Sequence, residues 1–425
     1  MGINNHHSEF DVKLLLFAMG LNSLPLGFTL VVLPIYMSDI GFSGEVIGTV
    51  SAVSSFANTV ALIPFAIAAD KFGRKPFTVW GLLSATIAYV FFAFTHDLNA
   101  LLLAAAIGGV GLAGGFSSAI WVPAWTALLA EKSTHERRTK AFAWSQGIWT
   151  IALTGGSMMS VLPQLFRTNF KVQFFPSFEY AFLIFVVLSI FSALVLLPMK
   201  EDAEPSEKSR PRRFFPEKSL GQIYKFSVTF GLVGFASGIS YQLLALWFNR
   251  MYGINEAALG PWVAAAEITS LVVVPIVPIL TRKVGSARTV LGTQGFSAII
   301  LVTMIFAPTY QLAGLIFIIR NFFMNISWPV QQSYLMGTVT ADERASASAI
   351  SSTIWGNGSS IGPILAGYLL SANDYISIST PLILGGAVYL GSAVGFYFLF
   401  RGVPPPEETS LVFRRPRLPV SFRPT

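Results

Sequence analysis

Long apolar segments separated by short polar stretches follow one another along the whole chain. An α-helix needs roughly 20 apolar residues to cross a bilayer, and each segment is long enough to do so. The pattern predicts twelve membrane-spanning helices, at residues 13–37, 45–69, 76–95, 99–129, 139–165, 178–198, 222–250, 257–280, 288–307, 310–336, 345–371 and 378–400. We therefore expect an all-α membrane protein with twelve transmembrane helices, which we call spans one to twelve.

The second half of the chain repeats features of the first half. A short basic stretch with a central glycine follows span two, at residues 69–75, and a related stretch follows span eight, at residues 281–288. Three further residues recur at one constant offset of 206: Pro123, Arg138 and Trp149 correspond to Pro329, Arg344 and Trp355. Internal duplication is typical of secondary transporters, whose substrate site lies between the halves. We therefore expect two pseudo-symmetric six-helix bundles and a transport function.

Two polar stretches indicate the limits of the bundles. The charged, proline-bearing stretch at 199–219 is too polar for a core and is typical of a linker. The composition of the tail, with the prolines 404–406 followed by arginines, is typical of disorder. The expected division is an N-terminal six-helix bundle at 1–198, a cytoplasmic linker at 199–219, a C-terminal six-helix bundle at 220–402 and a disordered cytoplasmic tail at 403–425.

The charged residues are few and unevenly placed. The chain is 53% hydrophobic and 12% charged, whereas soluble domains are about 25% charged. With both termini placed in the cytoplasm, all Lys and Arg lie on the cytoplasmic side except Arg167, Lys171, Arg250 and Arg320. This positive-inside pattern predicts a multi-pass protein of the cell membrane, surrounded by lipids, with both termini cytoplasmic. It also accounts for the net charge of +7 without a nucleic-acid partner.

Motifs of enzymes and metal sites are not found in the sequence. The chain contains no cysteine, which excludes thiolate chemistry and disulfides. Its four histidines lack a metal-binding spacing, and neither a G-x-S-x-G motif nor a phosphate-binding glycine loop occurs. We therefore expect no enzyme activity, no catalytic residue, no metal and no cofactor.

Residues 66–75 read A-I-A-A-D-K-F-G-R-K and resemble the motif G-x-L-A-D-R-x-G-R-K of the major facilitator superfamily. The acidic residue, the central glycine and the final Arg-Lys pair are kept, whereas Ala66, Ala68 and Lys71 depart from the motif. The second copy is weaker, because Arg282 stands where the acidic residue would be. The resemblance covers essentially the whole chain and implies alternating access, in a member similar to drug exporters or sugar transporters.

Asp70, Gly73 and Arg74 are the predicted gating residues of this motif. Gly73 allows a tight turn, and Asp70 can pair with a nearby arginine or cap a helix N-terminus. Such contacts would latch the cytoplasmic side in one state of the transporter. The alternative is that the basic residues of the motif only anchor the topology.

Two motifs of the family's proton-driven drug exporters are displaced or missing. Their G-x-x-x-G-P sequence lies in span five, whereas here it stands in span eleven, at 358–363. The arginine of their span four has no counterpart in the apolar stretch 104–111. The proton-antiport residues of those exporters therefore cannot be transferred directly, and the span-eleven glycines are predicted to form a packing face.

Span ten carries an unusual polar face. At about 100° per residue, its polar residues and two large side chains fall within an arc of about 140°. They are Arg320, Asn321, Met324, Asn325, Trp328, Gln331 and Gln332. Polar groups inside a bilayer are costly and face a cavity or a partner. We interpret this face as the lining of a substrate cavity, and a polar seam between helices is the alternative.

Glu267 in span eight is the one carboxylate well inside a predicted span, and Arg320 is the obvious partner for it. An arginine beside a carboxylate favours its charged form, and separation of the two lets the carboxylate take a proton. We predict that Glu267 and Arg320 couple proton movement to transport. The alternative is a static ion pair that only fixes helix packing.

Further candidates for substrate binding come from other spans. With Glu267 and the span-ten residues Arg320, Asn321, Asn325, Trp328 and Gln331, the predicted binding set comprises Asn22, Gln146, Trp149, Tyr241, Gln242, Trp355 and Asn357. For each polar residue alone, hydrogen bonding between helices is the alternative role. A cavity rich in aromatic rings with few charges suits a lipophilic or amphiphilic solute.

The expected function is secondary active transport by a monomer, as proton-linked export of an apolar or amphiphilic small molecule. An antiporter for efflux would have the substrate, protons and membrane lipids as its partners. The amides of span ten support a rival, the uptake of a neutral polar solute such as a sugar. A second rival is a receptor-like or lipid-handling membrane protein that does not pump a solute.

Overall fold

The computed structural model describes residues 2–111, 113–133, 137–199, 218–340, 343–372 and 374–402. These residues form α-helices, two short 3₁₀ helices at Met159–Val161 and Met304–Phe306, and no β-strand. The α-helices are α1 Gly2–Asp39, α2 Gly44–Phe72, α3 Arg74–Phe94, α4 Leu98–Gly108, α5 Gly115–Lys132, α6 Arg138–Met158, α7 Leu162–Asn169, α8 Phe174–Val195, α9 Leu220–Ser240, α10 Leu244–Tyr252, α11 Glu256–Val273, α12 Ile276–Val284, α13 Ser286–Thr303, α14 Tyr310–Thr338, α15 Arg344–Leu370 and α16 Tyr375–Phe400.

These helices confirm the predicted all-α, twelve-span architecture. Seven spans are single helices, namely α1, α2, α3, α8, α14, α15 and α16. The other five are interrupted: α4 and α5 form span four, α6 and α7 span five, α9 and α10 span seven, α11 and α12 span eight, and α13 with its 3₁₀ turn span nine. Within the described ranges, nine helical segments are long and apolar enough on their own to cross a membrane. The chain is thus a multi-pass membrane protein.

The two basic stretches share a backbone geometry as well as a sequence pattern. Gly73 connects α2 to α3 with φ 108° and ψ 137°, and Gly285 connects α12 to α13 with φ 84° and ψ 155°. Only glycine adopts such positive φ values without strain. The repeat found in the sequence is therefore present in the fold at equivalent turns of the two halves.

Span four is broken at its middle, which the uniform apolar pattern at 99–129 did not predict. Gly109, Gly111 and Gly115 all have positive φ, so the chain leaves the helix after Gly108 and re-enters it at Gly115. Within a membrane, backbone groups freed in this way need partners inside the protein. The span predicted at 99–129 is therefore present but interrupted, and the cluster of glycines is the reason.

Side chains of the neighbouring helices bind the backbone of this break. The Ser54 hydroxyl accepts a hydrogen bond from the Val110 N–H (2.9 Å) and donates one to the Ala113 carbonyl. The Thr29 hydroxyl accepts from the Gly111 N–H at 3.2 Å. These bonds hold the non-helical segment against α1 and α2.

The two halves meet along two helix pairs, α2 with α15 and α6 with α11. Small residues allow the contact: a β-carbon at Gly44 or Gly48 would collide with the backbone of α15. A β-carbon at Gly260 would likewise collide with the end of α6. The glycines of the span-eleven motif also pack closely, because a β-carbon at Gly358 or Gly362 would collide with α9.

We call the end of the molecule where α1 begins and α16 ends the terminal side, and the opposite end the far side. The predicted linker lies outside the described residues except for Met199, Lys218 and Ser219, and the tail from residue 403 lies outside them entirely. The boundaries of bundles, linker and tail therefore stay predictions.

Candidate functional site

A cavity of about 250 Å³ lies between the two halves, near the middle of the molecule. The first half contributes Leu30, Ser55, Asn58, Thr59 and Ala113. The second half contributes Val233, Ser237, Tyr241, Gln242, Glu267, Arg320, Asn321, Met324, Asn325, Trp328, Trp355, Gly356, Ser359 and Tyr389. Its position between the repeats is where transporters of duplicated architecture bind substrate.

The polar face of α14 lines this cavity over three of its turns. Arg320, Asn321, Met324, Asn325 and Trp328 all belong to the lining. The amide of Asn321 donates to the Ala266 carbonyl at 2.9 Å, and that of Asn325 donates to the Thr269 hydroxyl at 3.2 Å. The face therefore has both roles considered for it, because its asparagines also connect α14 to α11.

Arg320 is the positive charge of the cavity, and its side chain is only 3% exposed. Its guanidinium lies over the Tyr389 ring, 5.1 Å from the ring centroid. The Nη1 atom donates to Asn321 Oδ1 at 3.5 Å, a long hydrogen bond. The Nε and Nη2 atoms have no hydrogen-bond partner among the described residues.

Glu267 is not paired with Arg320, contrary to the expected contact. Its carboxylate accepts a hydrogen bond from the Tyr241 hydroxyl of the neighbouring span. No ion pair joins Glu267 to Arg320 within the described part of the chain. The tyrosine, which sequence spacing did not single out as a partner, satisfies the carboxylate in this conformation.

Gln242 joins the halves at the cavity wall. It lies with Tyr241 in the turn between α9 and α10, where the helix is interrupted. Its amide nitrogen donates to the Ser359 hydroxyl at 2.7 Å and to the Ser359 carbonyl at 3.1 Å. It also lies 3.3 Å from the Ser55 hydroxyl of the first half.

The apolar wall of the cavity is built from indole rings. Trp328 and Trp355 meet edge to face, with centroids 5.6 Å apart and planes at 79°. Phe230 packs against Trp328 with a centroid distance of 4.9 Å. Rings held in this way offer a rigid aromatic surface to a flat apolar ligand.

Five predicted binding residues lie outside this cavity lining: Asn22, Gln146, Trp149, Gln331 and Asn357. Gln331 is buried and donates to Gln294 Oε1 and to the Ser327 hydroxyl, both at 2.8 Å, in the seam between α13 and α14. Asn22 is buried within the first half, and Trp149 packs in the apolar cluster at the start of α1. Gln146 and Asn357 are exposed.

The lining includes residues that the predicted binding set omitted. Ser55, Asn58 and Thr59 follow the i, i+3, i+4 spacing of one helical face, which could have indicated a polar stripe on α2. Ser237, Ser359 and Tyr389 gave no comparable signal, because single hydroxyl residues are common within membrane helices. Among the described residues, no group of His, Asp and Glu has the arrangement of a metal site.

Two of the predicted gating residues, Asp70 and Arg74, form an ion-pair cluster with Glu131 on the terminal side. Arg74 lies 2.9 Å from Asp70 and 3.0 Å from Glu131. All three residues belong to the first half, on α2, α3 and α5. The predicted pair of Asp70 with an arginine is therefore present, while the gating role of Asp70, Gly73 and Arg74 stays a prediction.

Another ion pair lies on the far side and joins the two halves. Arg167 of α7 binds the carboxylate of Glu256, the first residue of α11, at 2.7 Å. Glu256 is 1% exposed, and its backbone carbonyl accepts from the Ser160 hydroxyl at 3.0 Å. Arg167 also lies over the ring of Phe174, 5.0 Å from its centroid. Sequence analysis missed this pair, because both residues stand at helix ends where solvent exposure is the default expectation.

Further far-side contacts join the same halves. The amide of Asn255 donates to Gln164 at 3.3 Å, and the backbone N–H of Glu45 donates to the Ser371 hydroxyl at 2.8 Å. With the close approach of α2 and α15 through Gly44, they hold the far ends of the halves together. The far side is thus the closed side of the cavity in this structure.

The chain is similar to known transporters along nearly all of its length. The sequence model of the Major Facilitator Superfamily matches residues 15–319 and 226–424. The Quinolone resistance protein NorA of Staphylococcus aureus (strain COL) is 23% identical over 400 residues, covering 90% of this chain and 95% of the relative. Multidrug resistance protein 1 of Bacillus subtilis (strain 168) is 24% identical over 375 residues, covering 85% and 90%.

The fold is also similar to that of a solved transporter. The crystal structure of the nucleoside transporter NupG has a TM-score of 0.71 at 16% identity, covering 92% of this chain and 99% of that one. The family and the fold are those of transporters rather than enzymes. The chain belongs to the Major Facilitator Superfamily.

Proposed function

We propose that this transporter exports an amphiphilic aromatic compound in exchange for protons. The observation that carries the proposal is the cavity between the halves, in which the indole rings of Trp328 and Trp355 form an aromatic wall and the lining holds one arginine and one carboxylate. Such a lining suits a ligand that is mostly apolar and bears few polar atoms. The similarity to proteins named for quinolone and multidrug resistance supports the same class of function.

The closed far side bears on which conformational state of the transport cycle this structure represents. If both termini are cytoplasmic, as the distribution of Lys and Arg indicates, the far side faces the exterior. The structure then represents a state closed to the outside, in which the cavity receives its ligand from the cytoplasm or the inner leaflet. Transport requires the far-side contacts to break and the terminal side to close.

Glu267 is the proposed site of proton exchange. It is a buried carboxylate in the cavity wall, bonded to Tyr241 and separated from Arg320 in this state. A carboxylate that changes partners between two conformations changes its affinity for a proton, which links proton movement to the transition. Arg320 is the proposed alternative partner in the opposite state.

The test of export uses purified protein reconstituted in vesicles with an imposed pH gradient. Three fluorescent pyrene amphiphiles serve as substrates: pyrenebutyrate, its methyl ester and a pyrenebutyl-trimethylammonium salt. We expect at least one of them to be moved against its gradient by the wild type. Failure to move any of the three, with folded protein in the vesicles, would refute the export of aromatic amphiphiles.

The role of Glu267 is tested in the same vesicles with Glu267→Gln. We expect this variant to bind substrate and exchange it passively while losing accumulation driven by the pH gradient, because an amide does not release a proton. Glu45→Gln, which makes the same change at an exposed carboxylate on the far side, is the control and should accumulate substrate as the wild type does. Undiminished accumulation by Glu267→Gln would remove this residue from the coupling step.

Uptake of a neutral polar solute is the second candidate, favoured by the amides in the lining. These amides are already engaged, however: Asn58 donates to the Gly115 carbonyl at 3.1 Å, Asn321 to the Ala266 carbonyl and Gln242 to Ser359. A sugar or nucleoside needs several free donors and acceptors, so the first candidate fits the cavity better. Counterflow of labelled glucose or uridine in the same vesicles would favour the second candidate, and binding of the pyrene compounds without any transport would favour a receptor-like or lipid-handling role.

A further inference from the structure

The guanidinium of Arg320 has one hydrogen-bonding edge without a partner. Its Nε and Nη2 atoms lie on the same side of the planar group, and neither has a hydrogen-bond partner among the described residues. The remaining nitrogen, Nη1, is the one that contacts Asn321. Two parallel N–H donors on one edge match the two oxygens of a carboxylate.

Among the residues that the structure describes, no carboxylate pairs with Arg320 in this conformation. Glu267, the carboxylate of the cavity lining, is bonded to Tyr241. The Tyr389 ring covers one face of the guanidinium but offers no acceptor to its edge. A buried, unpaired charge is strongly unfavourable, so an arginine held in this way is suited to a partner that arrives from outside the protein.

We propose that the compound transported by this protein is an aromatic amphiphile with a single carboxylate, which binds the free edge of Arg320. The inference rests on the proposed function and adds the charge of its substrate. The aromatic body of the compound packs against Trp328 of the same helix and against Trp355 of α15, which line the same cavity. One arginine matches one negative charge, which favours a carboxylate over a doubly charged phosphate.

The approach of a carboxylate requires a local rearrangement. The Nε and Nη2 atoms are shielded from solvent in this conformation. The side chains that cover this edge must move for a carboxylate to reach it. Tyr241 lines the same cavity, and its rotation would release Glu267. Arrival of the anionic substrate and a change of partner at Glu267 would then involve neighbouring side chains of one cavity.

The test measures the binding of the three pyrene compounds to purified wild-type protein, by energy transfer from tryptophan and by thermal stabilisation. We expect pyrenebutyrate to bind about tenfold more tightly than its methyl ester, because hydrogen bonds to a charged group are worth more than those to a neutral one. The ammonium compound should bind more weakly than the ester. This comparison needs no substitution and so does not depend on the folding of a variant.

Two arginine variants identify the group responsible. Arg320→Lys keeps the charge but loses the two-donor edge, and we expect it to lose about tenfold in affinity for pyrenebutyrate and little for the ester. Arg288→Lys, which alters an exposed arginine at the start of α13, is the matched control and should bind both compounds as the wild type does.

Three outcomes separate this inference from the proposed function. Tighter binding of pyrenebutyrate than of its ester, lost in Arg320→Lys, supports both the inference and the proposed function. Transport of the ester or the ammonium compound without preference for the carboxylate, or an Arg320→Lys variant with wild-type affinity for it, overturns the inference and leaves export standing. Absence of binding and transport for all three compounds overturns both.

Discussion

The two ends of this transporter use charged residues in different ways. On the terminal side, the ion pairs join residues of one half. The motif cluster of Asp70, Arg74 and Glu131 has side chains that are 61%, 31% and 33% exposed, and a buried pair of Lys132 with Asp11 also lies within the first half. On the far side, Arg167 and Glu256 come from different halves, and the side chain of Glu256 is 1% exposed. The far-side pair is therefore broken when the halves separate there, whereas the terminal cluster can move as part of one half.

Burial makes the energetic difference between the motif cluster and the far-side pair large. Exposed ion pairs contribute about 0–1 kcal/mol, whereas removal of one partner from a buried pair costs about 3–5 kcal/mol. The state that is closed on the far side should therefore depend much more on Glu256 than on Asp70. The family motif indicated the terminal side as the gate, and the geometry indicates the far side as the stronger lock in this conformation.

The largest expected effect is that of Glu256→Gln, which leaves Arg167 without its carboxylate. We expect the free energy of the state closed on the far side to rise by about 3 kcal/mol relative to that of the open state. The ratio of the two populations then changes roughly a hundredfold. The chain contains no cysteine, so spin labels attached at introduced cysteines report only the chosen sites. Labels at Phe170 and Ile376, both exposed on the far side, should show a longer distance in the variant.

A matched control separates the ion pair from a general effect of charge. Glu45→Gln removes an exposed carboxylate from the same side, while the backbone N–H of Glu45 keeps its bond to Ser371. Its distance distribution should equal that of the wild type. If Glu256→Gln also left the distribution unchanged, the far-side pair would not hold the closed state, and the contrast between the two ends would be wrong.

A smaller effect is expected from the packing of the same interface. Gly48→Ala places a β-carbon against the Pro363 carbonyl of α15, and overpacking of this kind costs about 1–3 kcal/mol. The same spin labels should report a partial opening of the far side, with a change in population of about tenfold. Gly147→Ala in α6, where no atom lies near the added carbon, controls for the gain in helix propensity. Equal behaviour of the two variants would show that close helix approach at Gly48 does not support closure.

Periodic features of the sequence predicted much of this architecture. Arg320, Asn321, Asn325 and Trp328 line the cavity because helical spacing places them on one face, and this spacing is visible in the chain. Gln331 shares that arc but bonds to Gln294, since a broad helical face reaches a neighbouring helix as well as a cavity. Helical spacing alone does not determine which of the two neighbours a residue at the edge of the arc will meet.

Contacts between distant segments could not be predicted from the sequence. Arg167 and Glu256 stand on different halves, and no local pattern relates their positions. The hydrogen bond from Tyr241 to Glu267 likewise depends on how the turn between α9 and α10 approaches α11, so the more obvious partner, Arg320, was expected instead. The twelve spans and the repeat follow from local composition, whereas these partners follow from the packing of whole helices.

The smallest effect on conformational balance is expected from Asp70→Ala. Arg74 keeps Glu131 as a partner at 3.0 Å, and the lost pair is mostly exposed, so the state ratio should change by no more than about 1 kcal/mol. Transport should still fall, because Asp70 belongs to the turn that the gating prediction places at the cytoplasmic latch, while the protein inserts normally. The measurement is the transport rate in vesicles beside the far-side label distance, with Asp97→Ala, an exposed helix cap in the same half, as the control. A wild-type transport rate for Asp70→Ala would mean that the motif is only a topology signal. If Asp70→Ala opened the far side as much as Glu256→Gln does, the terminal cluster would stabilise the closed state as strongly as the buried pair.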